Sequence, residues 1–313
     1  MTAPPVLVLG VRRSGTTLLR VMLDRHSSLA IPDESYFVPQ LADRHRGPID
    51  AESFADDLRR LPTLREWGID VEAVRPRLRD GMTPGDAIAA VYETYAAERG
   101  KRRWGDKTPM YMQRLSLLER MFPAALYVHV IRDGRDCALS FAQMPEGIVT
   151  RTWAHPEDAG GFACQWRAEV TAARELGRRV GSRYLEVRYE ALVAEPEQTL
   201  RLICAHAQLA YEPAMLDYAG SVDVSAQPHQ RSLTKPPTAG LRDWQAEMLE
   251  ADVRAFEAVA GDLLAELGYE TTSGPTMRGR LRRAWYAVRI TAWNGVARAL
   301  RVSPLWRRRH PRV

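Results

Sequence analysis

Four groups of residues in this 313-residue chain have the types and spacings that do chemistry. The first is Gly10-Val-Arg-Arg13-Ser14-Gly15-Thr16-Thr17, which follows the apolar run Val6-Leu-Val-Leu. A strand, a small-residue loop and a helix in that order bind phosphate-like anions, because successive backbone N–H groups and the helix N-terminus converge on one point. The G-x-x-x-x-G-K-[ST] spacing is kept from Gly10 to Thr17, but Thr16 stands in the lysine position. That lysine reaches the β- and γ-phosphates of a nucleoside triphosphate, and here the charge has moved upstream to Arg13. The loop therefore suits an anion other than a triphosphate, or else it is a tight strand-to-helix turn. The second group, Arg132-Asp133-Gly134-Arg135-Asp136, ends the strongest apolar run of the chain, Ala125–Ile131. It is a second anion site, or a set of arginine–carboxylate bridges that still leaves one arginine for a ligand. The third is Lys107, one of three lysines with Lys101 and Lys235 in a chain that otherwise uses arginine. A compact ammonium is not replaced by a planar guanidinium. Ahead of a helix start its charge opposes the dipole unless it meets an anion there; the alternative is a solvated surface lysine. The fourth is Glu34, at a strand-end corner, where it is a general base or a carboxylate set against a helix dipole.

The elements that must hold these groups are those of an α/β fold: a phosphate-loop-type central parallel sheet flanked by helices. The continuous apolar run at 125–131 predicts a central parallel strand, in which His129 is a packed core residue. Leu29–Ile31 and Arg183–Val187 predict further strands. A helical stretch is expected from Tyr36 to Arg44, so that Glu34 lies at its start. Residues 47–100 predict a helical insertion without strands, and Thr108-Pro109 predict an N-cap and first turn for a helix through Met121. Helices are also expected over Phe162–Val180, Pro196–Ala207 and Glu247–Leu267, with a loop at 145–161. The domain organisation that results is one domain over 1–274 and a C-terminal basic amphipathic helix within 275–313.

Charge is distributed unevenly. Residues 277–313 carry eleven arginines and no Asp or Glu; taking these from the 44 basic residues leaves 33 against 39 acids. The bulk of the chain is mildly acidic, which excludes a generally basic nucleic-acid binder. Trp285, Trp293 and aliphatic residues among the tail's arginines fit a helix on an anionic membrane surface; the alternatives are an ordinary packed helix, a dimer contact or a partly disordered tail. Cys137, Cys164 and Cys204 are scattered and give neither a metal spacing nor a disulfide framework. With no signal-peptide pattern at Met1-Thr-Ala-Pro-Pro and no run long enough to span a bilayer, a cytoplasmic protein is expected, at the inner face of the membrane if the tail binds lipid.

Val11-Arg-Arg-Ser-Gly-Thr-Thr-Leu-Leu19 resembles the 5′-phosphosulfate loop of the sulfotransferases that use 3′-phosphoadenosine 5′-phosphosulfate (PAPS). Arg132-Asp-Gly-Arg-Asp-Cys-Ala-Leu-Ser140 resembles their 3′-phosphate motif, whose functional members are the first Arg and the Ser eight residues on. The resemblance spans about residues 5–270, and its closest pattern is that of tyrosylprotein sulfotransferases and their bacterial relatives. It implies Glu34, 21 residues after Arg13, as general base and Lys107 as a catalytic cation. It implies a catalytic contact for Ser232 in Arg231-Ser232 and a cofactor-side place for Lys235 and for Tyr189 in Tyr189-Glu190-Ala-Leu-Val193. Arg13, Ser14, Gly15, Thr16, Thr17, Arg132 and Ser140 would then hold the co-substrate, and no metal is expected.

The function these readings imply is transfer of a sulfuryl group from PAPS to an acceptor hydroxyl by in-line displacement. The acceptor is a carbohydrate or glycolipid, a small molecule or a tyrosine. The alternatives are a P-loop nucleotide kinase with Asp133 near Mg²⁺, and a non-enzymatic membrane- or nucleic-acid-binding protein led by its tail.

Overall fold

β1 (Val6–Leu9) runs into the glycine loop, and α1 (Thr16–Asp24) carries the chain back to β2 (Leu29–Ala30). α2 (Val38–Arg44) follows, and the insertion at 47–100 holds α3 (Ala51–Arg59), α4 (Pro62–Glu66), α5 (Val71–Val74) and α6 (Pro84–Glu98). It is followed by β3 (Arg103–Asp106), a 3₁₀ turn over Pro109–Arg114, α7 (Leu115–Met121) and β4 (Leu126–Ile131). α8 (Gly134–Ala142) and α9 (Ala159–Val180) lead to β5 (Tyr184–Arg188), α10 (Tyr189–Ala194) and α11 (Pro196–His206). α12 (Trp244–Glu247), α13 (Glu250–Glu266) and α14 (Met277–Val302) are the last elements among the described residues. This computed structural model describes residues 3–144, 156–219 and 243–302.

The strands form one five-stranded parallel sheet in the order β2-β3-β1-β4-β5. β1 lies at its centre, with Leu7 opposite Asp106 on one side and Leu9 opposite His129 on the other. Both faces of the sheet are covered, as parallel sheets require. Leu7 and Leu9 pack under the helical insertion, where Tyr92 stacks on Trp104 with ring centroids 4.5 Å apart. Val6, Val8, Val128 and Val130 point to the other face, against α1, α10 and α11. A third cluster around Trp166 and Phe256 joins α8, α9 and α13 beside the end of β4.

Because the sheet is parallel, all five strands end at one edge, and the candidate residues lie on the segments that leave it. β1 delivers the glycine loop, β2 delivers Glu34, β3 Lys107, β4 Arg132 and β5 Tyr189. Ligands of open α/β sheets bind outside these carboxyl ends.

One strand appears that the sequence did not signal, and two expectations are corrected. Arg103-Trp-Gly-Asp106 is a buried strand although its residues carry no strand pattern; pairing with β1 and β2 imposes it. Gly105 is the residue that permits it, since a Cβ there would lie 2.5 Å from the Val6 carbonyl oxygen. The helix expected from Met110 begins as a 3₁₀ turn, and Thr108 does not cap it with its hydroxyl, which bonds Asp106 instead. Finally, α2 starts at Val38, so Glu34 stands four residues ahead of it rather than in its first turn.

The junction near residue 274 leads directly into α14, whose first turns pack on the domain. Gly279 sits against the Ala258 carbonyl, where a Cβ would lie 1.8 Å away, and Arg282 pairs with Asp158.

Candidate active site

The loop after β1 is shaped by two left-handed residues, Arg13 (φ 72°) and Gly15 (φ 91°). Ser14 N–H closes the turn on Val11 O at 3.0 Å. A Cβ on Gly15 would fall 2.2 Å from the Tyr189 ring, so the loop can seat against that ring only with glycine there. α1 begins with neither a side-chain cap nor an acid in its first turn, which leaves its N-terminal N–H groups and dipole to an anion. Ser14 Oγ is buried and has no partner among the described residues. An unsatisfied buried hydroxyl in an N–H-lined turn fits a ligand that completes its hydrogen bonds.

The two anion motifs touch. Arg13 Nε donates to Ser140 Oγ at 3.0 Å, across 127 residues of sequence. Arg132 donates to Arg13 O (3.4 Å) and to Asp136 (3.3 Å), and its guanidinium lies over the Tyr189 ring at 4.5 Å. Arg132 Nε is buried with no partner among the described residues.

The alternative for the second motif is resolved by Arg135. It makes two bonds to Asp133 (3.1 and 2.7 Å), one to Glu257 (2.6 Å) and one to Glu270 O (2.7 Å), and it stacks on Trp244. Arg135 is thus the structural arginine and Arg132 the one turned to the site. Asp133 caps α8 and holds Arg135, which commits the carboxylate that a Mg²⁺ role would need. Arg12 lies over Phe141, 5.5 Å from its ring centroid, so Arg13 is the loop arginine bonded to Ser140.

The acceptor side is built on a buried polar network. Ser35 Oγ and Tyr92 OH each donate to Asp106 at 2.8 Å, Thr108 adds a bond at 3.2 Å, and Tyr111 OH meets Ser35 Oγ at 2.7 Å. Burial pushes the Asp106 carboxyl up to about 6 against the pull of these donors. The network pins the Glu34–Tyr36 corner to the end of β3. Lys107 Nζ donates to Glu34 Oε1 at 2.5 Å and to Thr17 Oγ1 of the loop at 3.3 Å. Burial raises Glu34, but the charge and hydrogen bond of Lys107, with Tyr36 and Arg20, outweigh it and hold the carboxyl below its ordinary range. Lys107, 2% exposed, is lowered by burial, with Glu34 opposing. Lys107 is thus the main group holding the Glu34 carboxyl down against its burial, and α2 begins four residues further on.

Tyr36 was not singled out by sequence. Its hydroxyl donates to Glu34 Oε2, and no motif marks it; the only available hint was its position two residues after a candidate base. His129 is fully buried, bonded to the Tyr184 hydroxyl, and lowered to about 3 by burial, which makes it a core residue. Ser232 and Lys235 lie outside the described residues. Among the described residues no group of three or more His, Cys, Asp or Glu is arranged to hold a metal ion.

A family model described as "Sulfotransferase family" matches residues 4–213. The chain is 27% identical over 292 residues to protein-tyrosine sulfotransferase A of Caenorhabditis elegans, covering 89% of this chain and 70% of that one. It is 29% identical over 294 residues to nodulation protein NoeE of Sinorhizobium fredii, covering 84% and 65%. Among solved structures, the sulfotransferase domain of the Synechococcus PCC 7002 olefin synthase superposes with a TM-score of 0.59 at 25% identity, over 86% of this chain and 97% of that one.

Proposed function

The chain belongs to the sulfotransferase family, and from that premise we propose how its residues divide the reaction. The protein is an enzyme that moves a sulfuryl group from PAPS, its co-substrate, to an acceptor hydroxyl. In our reading Arg13, Ser14, Gly15, Thr16 and Thr17 hold the 5′-phosphosulfate, and Arg132 with Ser140 holds the 3′-phosphate. Tyr189 is the floor between them, and Lys235 approaches from the cofactor side. Glu34 takes the acceptor proton. Lys107 and Arg13 stabilise charge on the bridging and equatorial oxygens, and Ser232 orients the sulfate. Positioning and a fixed positive field carry such a transfer. The observation that carries this reading is the pair of contacts that join the site. Arg13 bonds Ser140, and Lys107 bonds both Thr17 and Glu34. One ligand with two separated anionic groups can then lie beside an ionised base. Calorimetric titration tests it. Tight binding of 3′-phosphoadenosine 5′-phosphate (PAP) with no binding of Mg²⁺–ATP is expected; the reverse preference would refute it.

For the acceptor, the names of the relatives support a tyrosine phenol, alongside the carbohydrate, glycolipid and small-molecule hydroxyls that the sequence leaves open. Radiolabel transfer to a tyrosine peptide, compared with a glycan and a simple phenol, distinguishes them.

The same reading gives the segment 277–313 a peripheral membrane contact at the cytoplasmic face. Met277, Leu281, Trp285 and Val288 are spaced by four, four and three residues and are each 60–68% exposed. They form an unburied stripe on one side of α14. Eleven arginines without an acid disfavour a second copy of the same helix as its cover and favour an anionic lipid surface. Co-sedimentation of the full chain with phosphatidylserine vesicles, lost in the triple variant Leu281→Glu, Trp285→Glu, Val288→Glu, is the expected result. Equal pelleting of the two proteins would refute it.

A further inference from the structure

Both oxygens of Glu34 are occupied. Oε1 accepts from Lys107, which is also the contact to the loop hydroxyl of Thr17, so this oxygen faces the donor side. Oε2 accepts from the hydroxyl of Tyr36. An acceptor hydroxyl that gives its proton to Glu34 needs one of the two oxygens, and Oε2 is the one not committed to Lys107.

Tyr36 is built differently from its neighbours. Ser35 is fully buried in the Asp106 network, and Phe37 is 1% exposed in the core beneath the insertion. Between them Tyr36 has a φ of 55° and is 50% exposed. The left-handed region is unfavourable for a non-glycine residue, and an aromatic side chain gains nothing there by itself. The backbone conformation turns the ring back over Glu34 instead of continuing the run into the core. A half-exposed ring on a fixed backbone can rotate away without disturbing Ser35 or Phe37.

We propose that Tyr36 is a placeholder for the acceptor: its hydroxyl covers the Glu34 oxygen that Lys107 does not engage, limits the approach of water to it, and yields when an acceptor hydroxyl arrives. This rests on Glu34 being the general base. The side reaction it suppresses is hydrolysis of the donor. There a water oxygen forms a bond to sulfur and its proton goes to the Glu34 carboxylate. The bond from sulfur to the phosphate oxygen breaks, and PAP leaves with the electron pair. Deep closure of a site against water is one way transferases avoid this loss. Here the cover is a single side chain.

Donor hydrolysis needs no acceptor, so the test does not depend on knowing it. The full-length protein, Tyr36→Phe, Glu34→Gln and the double variant are incubated with PAPS alone, and release of PAP is followed. Tyr36→Phe keeps the ring and removes only the hydroxyl. We expect it to hydrolyse PAPS roughly ten- to a hundredfold faster than the parent, the effect of one hydrogen bond to a charged group. The gain should vanish in the double variant, and PAP affinity by calorimetry should be the same in parent and Tyr36→Phe. An unchanged rate with intact PAP binding overturns the inference while leaving the donor site as assigned. A gain that persists in the double variant overturns it too, because the water would then not be activated by Glu34. Loss of PAP affinity in Tyr36→Phe overturns it by assigning the tyrosine to the donor site.

Discussion

Replacing Glu34 by Gln separates the chemistry of the site from its architecture. The amide has the same shape and can still accept from Lys107, but it carries no charge and cannot take a proton. The partner it deserts is 2% exposed, and Glu34 itself is 27% exposed. Breaking a buried pair by neutralising one member costs about 3–5 kcal/mol, and the partial exposure of Glu34 points to the lower end, about 3 kcal/mol. In a domain of this size that corresponds to a fall in Tm on the order of 5–10 °C. Loss of a general base removes roughly 10²–10⁴ in kcat. Neither change touches the backbone N–H groups, Arg132 or Ser140, so PAP should bind Glu34→Gln as it binds the parent. PAPS, which brings a sulfate to the side of the loop where Lys107 meets Thr17, should restore part of the lost melting temperature, whereas PAP should restore less. Turnover by radiolabel transfer, calorimetry with PAP, and thermal melts with and without each nucleotide make up the assay. A more than tenfold loss of PAP affinity would show that Glu34 organises the donor site. A melting temperature equal to the parent's would show that the Lys107–Glu34 pair is not the buried contact described. Either result refutes the reasoning.

Arg132→Ala should weaken PAP about 10- to 100-fold and leave adenosine 5′-phosphate nearly unchanged, because a guanidinium on a phosphate is a charge-assisted contact made only by the 3′-group; equal losses by calorimetry would remove that assignment. Gly15→Ala places a Cβ 2.2 Å from the Tyr189 ring on a backbone at φ 91°. It should cost about 1–3 kcal/mol in urea denaturation and weaken PAP binding, and a neutral result would mean that Tyr189 does not pack on the loop. Asp106 is raised from 3.8 to about 6 by burial, so its protonated form favours the folded state. Its contribution is full below about pH 4 and is lost as pH rises through about 6, a change of roughly 3 kcal/mol. Asp106→Asn should flatten that part of the stability-against-pH curve, and an unchanged slope would refute the burial argument. Glu34 has the opposite sign. It is held below its ordinary value, so its stabilisation is present above the ordinary glutamate range and is lost on acidification through the lowered value. The acid limb of kcat/KM should therefore lie below the usual glutamate range, as a pH–rate profile would record.

Much of the site was legible because it rests on local signals. The glycine spacing from Gly10 to Gly15, the missing loop lysine, the arginine motif after an apolar run and the scarcity of lysine all sit in short stretches of chain. Backbone N–H convergence and strand-to-helix turns are local physics, so Gly15, Arg132 and the α/β class could be named before any contact was known. Parallel strands also read clearly where they are fully apolar, as in β1 and β4. What required the tertiary structure was whatever depends on a neighbour distant in sequence. β3 is a strand only because β1 and β2 offer it backbone partners, and its four residues have no period of their own. Arg132 and Arg135 are the same residue type three positions apart. Their roles are separated by Glu257 on α13 and Tyr189 at the start of α10, which bury one and leave the other facing the loop. Glu34 meets the cation that offsets its burial because folding brings it to Lys107, 73 residues away, and the hydroxyl of Tyr36 covers its second oxygen because a buried network holds the turn that both residues share. Residue types and local spacing determined which groups can bind an anion or move a proton; the burial and long-range pairing that set their charge and their partners exist only once the chain has folded.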